Sequence, residues 1–368
     1  MKRICIILLA AALLLQGCAY NKSENKSIHI AVMLEDEEES FVHGINSALS
    51  DVLTEYPDYD ISCTFYTDFG NYDTGAGIID KISSDSTVTA VLTSRNLDIS
   101  KTAAHEFEKN GKLMIGRYSL YDEVLADNNY KLAVSLCYSA KDMGNIARNV
   151  AGLTGLKNWT VCYADDEFSR QEVRNFVSNT NDGIQISDCM KEDSLIQRFD
   201  STMSKWQSLG IQGVAIFPYD SSALDLVKKL KEVNPELCII GDFELDNAKY
   251  MMAIPDWEAT FENLNLLEQF HINNTEEKDL DKLIEMSDEG YIDTFTIHGY
   301  NSLRMIVDTA VKNNTVNPSL IAEHLRNEGY KGLTQTFKFN GNGMLAYEEY
   351  SFSTLKNGEW EASRIDVY

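Results

Sequence analysis

Short apolar runs alternate with apolar residues at three-to-four spacing along most of the chain, the rhythm of strands feeding helices in parallel sheets. A first round opens with Ile28-His29-Ile30-Ala31-Val32-Met33-Leu34, and Phe41, Ile45, Leu49, Val52 and Leu53 then mark one buried helix face. Next come a strand from Ile61 to Tyr66, a helix carrying Ile78, Ile79 and Ile82, and a strand from Thr89 to Leu92. A helix through Thr102 to Lys109 and the strand Leu113-Met114-Ile115 complete that round. The second round starts with a helix bearing Met143, Ile146, Ala147 and Val150, which Gly155 can stop because glycine tolerates a left-handed C-terminal conformation. It runs on through a strand at Trp159 to Ala164, a helix at Phe168 to Val177 and a strand at Ile184 to Met190. A helix through Phe199, Met203 and Trp206, the strand Val214 to Phe217, a helix Ala223 to Val233 and the strand Leu237 to Ile240 close it. The pattern predicts an α/β chain with two doubly wound parallel-sheet lobes.

A late helix around Leu303, Ile306, Val307 and Ala310 follows both rounds, as does a strand pair, Thr336 to Phe339 and Tyr347 to Phe352. Asn340-Gly341-Asn342-Gly343 joins that pair, and Asn-Gly is a hairpin signal because both central positions need positive φ. A tail placed after both rounds requires the chain to cross between lobes more than once.

The first residues carry an address. Lys2 and Arg3 precede an apolar run from Ile4 to Leu15, then Gln16, Gly17 and Cys18, the layout of a secretory signal. The run falls short of the roughly 20 apolar residues a spanning helix needs. Leu15-Gln16-Gly17-Cys18 resembles the bacterial lipobox, which implies removal of residues 1–17 and a lipid on Cys18 that holds the protein on the outer side of a bacterial membrane. The alternative is an ordinary signal peptide with an incidental cysteine. Residues 18–26 are polar and aperiodic, a tether between anchor and fold.

Charge and composition narrow the partners. The formal charge is −25, and two units more negative once Lys2 and Arg3 leave with the signal, so nucleic acid and anionic lipid surfaces are repelled. Cys63, Cys137, Cys162, Cys189 and Cys238 sit in strand-like runs without C-x-x-C spacing and are expected as buried free thiols, with one bridge left open. No nucleophile elbow, H-E-x-x-H, phosphate loop or EF-hand loop is present, so neither an enzyme nor a resident cofactor or metal is expected. A hydrolase with an unrecognised site stays as a minor alternative.

Gly299-Tyr300-Asn301-Ser302-Leu303-Arg304 opening the late helix, Gly332-Leu333-Thr334, Phe337-Lys338-Phe339-Asn340-Gly341-Asn342-Gly343 and Asn357-Gly358-Glu359-Trp360 together resemble the leucine/isoleucine/valine-binding branch of the type I periplasmic-binding proteins. The resemblance covers nearly all of the mature chain. It implies three crossovers, with one lobe from residues 27–140 and 270–338 and the other from 141–269 and 339–368. It also implies an ABC-transporter substrate-binding lipoprotein, with a small polar or anionic solute, amino-acid-like or a carboxylate, as ligand and a membrane permease as partner. A ligand sensor, or a partner-binding regulator of cell-wall synthesis on the same fold, is the alternative.

Ligands of open parallel sheets bind beyond the carboxyl ends of the strands. The loops so placed are Glu35-Asp36, Thr93-Ser94-Arg95-Asn96 and Gly116-Arg117-Tyr118-Ser119 in one lobe. In the other they are Asp165-Asp166-Glu167-Phe168, Pro218-Tyr219-Asp220-Ser221 and Asp242-Phe243-Glu244. Arg95 and Arg117 could clamp a carboxylate or phosphate bidentately, or could sit on the rim paired with Asp98, Asp122 or Glu123. In the family, serine and threonine hold the ligand carboxylate where this chain has the arginines, with Ser94 and Ser119 nearby. The acidic residue that holds an amino group falls on or near Ala140 here. Tyr219 matches a cleft tyrosine of the family, and Asp242 or Glu244 an acidic contact. Tyr118, Phe168 and Tyr219 could stack on a ligand or simply pack. The acidic run Glu35 to Glu39 suits a solvated helix N-terminus, Glu35 being the member expected to face the cleft.

Overall fold

A computed structural model of the chain describes residues 26–117, 124–125, 129–178, 183–268, 277–287, 292–346 and 349–366. The signal segment, Cys18, Tyr118 and Ser119 lie outside the described residues. Among those described, no helix is long and apolar enough to cross a membrane.

In the first lobe β1 (Ser27–Leu34), β2 (Asp60–Thr67), β3 (Val88–Leu92), β4 (Leu113–Gly116) and β5 (Ala133–Ser135) form a parallel sheet in the order β2-β1-β3-β4-β5. Alternate residues of β1 serve opposite layers. Ile28, Ile30, Val32 and Leu34 join Phe41, Ile45, Val52, Ile297 and Leu303, while Ala31 and Met33 join Ile79, Ile82, Ile99 and Phe107. With both faces covered, the central strands are apolar throughout, which is why they read as continuous runs. Helices Glu39–Glu55 and Thr294–Lys312 therefore share one face and Tyr72–Ser84 and Leu97–Lys109 the other. The first pair approaches so closely that a Cβ on Gly44 would lie 1.9 Å from the Thr296 carbonyl oxygen, and one on Gly299 2.2 Å from that of Phe41.

The second lobe holds β6 (Asn158–Tyr163), β7 (Gln185–Lys191), β8 (Gly213–Phe217), β9 (Cys238–Gly241) and β10 (Leu264–Glu268), mutually parallel. A small sheet of β11 (Tyr330–Lys331), β12 (Thr336–Phe339) and β13 (Leu345–Ala346) follows, and then β14 (Glu349–Lys356) and β15 (Glu359–Asp366). The last two extend the second sheet to the order β15-β14-β10-β9-β8-β6-β7, with β14 antiparallel to β10. Crossings between lobes fall between β5 and helix Ala140–Leu153, between β10 and helix Glu277–Met286, and between β13 and β14.

Three sequence expectations change. The strand expected from Tyr347 to Phe352 is not the partner of β12, because Leu345 and Ala346 return on β12 while β14, from Glu349 onward, pairs with β10 in the other sheet. Asn340 shapes the first turn, its Oδ1 accepting from the N–H groups of Asn342 at 3.0 Å and Met344 at 3.1 Å. The two-residue hairpin with positive φ at both centres is Asn357-Gly358, at 53° and 79°, between β14 and β15. The lobe boundary expected at residue 338 accordingly moves past β13, since the Ser135 N–H also bonds the Gly343 carbonyl at 2.8 Å in the first lobe. All five described cysteines are free, but Cys189 is exposed and Cys63 half-buried, because their strands β7 and β2 are the edges of the two sheets.

Candidate ligand-binding cleft

The carboxyl end of β3 in one lobe faces those of β6, β8 and β9 in the other across a cavity of about 320 Å³. Its first-lobe wall is Arg95, Asn96, Leu97, Asp98 and Lys101; its second-lobe wall is Asp165 to Arg170, Pro218, Tyr219, Phe243 and Glu244. The volume lies at the small end of ligand pockets.

Arg95 reaches from the end of β3 across this space. Its Nη2 is 2.6 Å from Glu244 Oε2 and also donates to the Tyr219 carbonyl, while the guanidinium lies 4.8 Å from the Tyr219 ring centre. The Tyr219 hydroxyl in turn donates to Glu35 Oε1 at 2.6 Å, and Glu35 Oε2 is 3.9 Å from Arg95 Nε. Glu35, Arg95, Tyr219 and Glu244 thus meet as one group drawn from both lobes. Burial raises the pKa of Glu35 against the opposing pull of the Tyr219 hydrogen bond and Arg95. Burial pushes Glu244 up to about 7 although Arg95 opposes it. A further inter-lobe contact lies nearby, where Asp246 Oδ2 accepts from Thr294 N at 3.1 Å and from its hydroxyl at 2.7 Å, capping the Thr294–Lys312 helix.

Arg117 does not join that group. It is fully buried, and its Nε donates to Thr93 O at 2.5 Å, Nη2 to Met33 O at 2.8 Å, and Nη1 and Nη2 to the two oxygens of Glu38 at 2.6 and 3.1 Å. With its fork closed on one carboxylate, and Phe41 3.8 Å from its guanidinium, it ties the ends of β1 and β3 together rather than facing a solute. The carboxylate that pairs with Arg117 is that of Glu38, expected from the sequence at a solvated helix end; of the partners expected for the arginines, Asp122 and Glu123 lie outside the described residues. Glu38 sits at φ 37°, a left-handed conformation uncommon outside glycine, and also accepts from the Glu35 N–H at 2.8 Å. Burial would raise the Glu38 pKa, but Arg117 outweighs it and holds the carboxyl below its usual range.

Several other expected site residues serve the backbone. Asn96 caps helix Leu97–Lys109 by accepting from Ile99 N at 3.2 Å, Asp166 accepts from Ser169 N at 3.0 Å, and Asp220 accepts from Ser222 N at 2.8 Å. Ser94 is buried, and its hydroxyl accepts from Asn96 N at 3.3 Å. Phe168 lines the cavity and also packs on the apolar core. Behind Glu244 lies Asp242, fully buried, with Oδ1 accepting from Glu244 N at 2.9 Å and Oδ2 without a hydrogen-bond partner among the described residues.

Glu172 was missed by the sequence reading. It is fully buried with neither carboxyl oxygen hydrogen-bonded among the described residues. Burial, with the charge of Asp242 added, raises its pKa well above the usual range, and burial with the charge of Glu244 does the same to Asp242. The signal was in the sequence, because Ser169, Glu172, Val173 and Phe176 form the buried stripe of helix Glu167–Ser178. Among the described residues no group of three or more histidine, cysteine, aspartate or glutamate side chains could hold a metal ion.

No protein-family model matches the sequence, and no curated protein does. Solved structures do. A substrate-binding protein of an ABC transporter from Desulfitobacterium hafniense, in complex with Leu, superposes with TM-score 0.75 at 19% identity over 92% of this chain and 100% of its own. The branched-chain amino acid transporter substrate-binding protein LivJ from Streptococcus pneumoniae, in complex with isoleucine, gives 0.80 at 14% identity over 93% and 100%. A solute-binding protein from R. palustris in complex with benzoate gives 0.77 at 12% identity over 91% and 95%. Likeness at these identities establishes architecture, and the architecture of this chain is that of the type I periplasmic-binding proteins, in the form shared by leucine- and isoleucine-binding members.

Proposed function

We propose that the chain is an extracytoplasmic solute-binding protein, anchored through a lipid on Cys18, that takes a small polar solute into the inter-lobe cleft and presents it to the permease of an ABC-type transporter. The observation that carries this reading is the 320 Å³ cavity with Arg95 on one wall and Glu244 on the other. Leu, isoleucine and benzoate, the solutes bound by three structural neighbours, each carry a carboxylate. Arg95 is the group that would take it, bidentately. A solute with an amino group beside its carboxylate would return an ionic partner to both halves of the Arg95–Glu244 pair, with Tyr219 and Glu35 beside them. That favours an amino-acid-like solute over a simple anion. Arg117 frames the site without touching the solute, and no cofactor or catalytic residue enters the reading, in keeping with neighbours that are substrate-binding proteins.

Native mass spectrometry of the purified protein identifies any retained solute. Titration calorimetry then compares amino acids, aliphatic and aromatic carboxylates and neutral sugars on wild type, Arg95→Ala and Glu244→Gln. Tight binding of an amino acid or carboxylate, weakened in both variants, is expected. Binding confined to neutral sugars, or indifferent to both substitutions, would remove the reading.

A further inference from the structure

The cleft is bridged by the protein itself. On the second lobe, the Arg95 guanidinium meets a carboxylate oxygen at 2.6 Å, a main-chain carbonyl and an aromatic face 4.8 Å away. Carboxylate, carbonyl and aromatic face are the three kinds of partner that receive a cation, and here they converge on one that belongs to the opposite lobe. The Arg95 and Glu244 side chains are only 18% and 8% exposed, so their attraction is screened less than that of a surface pair. Arg95 is also the cation that opposes the raised pKa values of Asp242 and Glu244. When the lobes part, it leaves with the first lobe, and the Glu172, Asp242 and Glu244 carboxyls stay on the second without it. The Tyr219 hydroxyl bond to Glu35 at 2.6 Å spans the cleft in the same way.

We propose that Arg95 is an internal stand-in for the solute: in the empty protein it occupies the cation subsite of the second lobe and latches the cleft shut, and the solute enters by displacing it. The proposal rests on the solute-binding reading of the cleft, but its test uses the empty protein. An open, binding-competent form then exists only as the fraction in which the latch is broken, and the apparent affinity is reduced by that fraction.

The protein is stripped of solute by unfolding, dialysis and refolding, and mass spectrometry verifies that it is empty. Small-angle scattering then compares wild type with Arg95→Ala and Glu244→Gln, the second of which keeps the guanidinium but removes its counter-charge. Circular dichroism confirms that each is folded. The expected result is a compact empty wild type and a larger radius of gyration in both variants. Empty wild type as expanded as the variants, or either folded variant as compact as wild type, would overturn the latch. A protein that binds solute but scatters open when empty loses the latch alone, whereas one that binds no solute in calorimetry loses the solute reading.

Discussion

Replacing Arg117 with methionine separates a structural arginine from a ligand-binding one. The guanidinium is fully buried, the Glu38 side chain is only 9% exposed, and hydrogen bonds at 2.5 to 3.1 Å link Arg117 to Glu38, Thr93 and Met33. Methionine keeps the apolar stem but takes the cation from Glu38, leaving it the Glu35 N–H, and removes a donor from each of two carbonyl groups. Removing one member of a buried pair costs about 3–5 kcal/mol, a large share of the roughly 5–15 kcal/mol that holds a typical protein folded. Urea unfolding followed by circular dichroism should show that loss near neutral pH. The Glu38 pKa is lowered from 4.5 in the folded protein, so the pair's contribution is complete above about pH 4.5 and is lost as pH falls through the lower folded value. In Arg117→Met the burial of Glu38 is no longer opposed by Arg117, so its carboxyl takes up a proton more readily than in wild type and the gap to wild type should narrow as pH falls through the carboxylate range. Adding Glu38→Met should recover most of the stability, because a buried pair exchanged for apolar side chains is often neutral. A neutral-pH loss under about 1 kcal/mol, or intact stability with abolished solute affinity, would refute the assignment of Arg117 to the frame.

Other outcomes follow from the same structure. Glu172→Met should stabilise the protein by about 1–3 kcal/mol at neutral pH by removing a buried carboxyl that forms no hydrogen bond among the described residues, measured by urea unfolding. An amino-bearing solute should bind more weakly as pH falls through about 7 and Glu244 takes up a proton, which calorimetry across that range would reveal. Because that folded pKa is raised from 4.5, ionising Glu244 should also cost stability as pH rises from about 4.5 to about 7. Gly44→Ala should destabilise by about 1–3 kcal/mol or more, since its Cβ would meet the Thr296 carbonyl oxygen at 1.9 Å and the helices must separate. Cys18→Ser should move the protein from membranes to the soluble fraction with its circular dichroism unchanged; continued membrane retention would exclude a lipid anchor on that residue.

The strand-and-helix rhythm was legible because a buried parallel strand such as Val88–Leu92 has nowhere to place a polar side chain. β5 and β13, at three and two residues, were too short to leave a periodic trace. The tail was misassigned for a different reason. Two Asn-Gly turns stand within twenty residues of each other, and local turn chemistry does not say which of them joins neighbours and which precedes a crossing. At the cleft, strand ends point to the loops that supply Arg95, Asp165 to Phe168, Tyr219 and Glu244 to the cavity wall, but not to the orientation of side chains within them. Arg95 and Arg117 both follow the ends of neighbouring strands, three residues past β3 and one past β4, yet one spans the cleft and the other turns inward to Glu38. Glu38 was hidden in a run of five acidic residues whose average character is solvated. Its identity depends on a left-handed backbone and a partner 79 positions away.

The closing hairpin has a consequence for the making of the protein. β10 is paired with β9 on one side and, on the other, only with β14, from a segment that follows the whole of the late helices. Until residues 349–366 are synthesised, the second lobe therefore carries an open strand edge, with Leu264, Leu266 and Leu267 among the side chains that become buried. A product ending near Ala346 would keep all of its β6 to β10 strands and still present that edge to its neighbours. Nascent or prematurely terminated chains should therefore be far more prone to self-association than the finished protein, and an export route that releases the chain whole would spare it that interval.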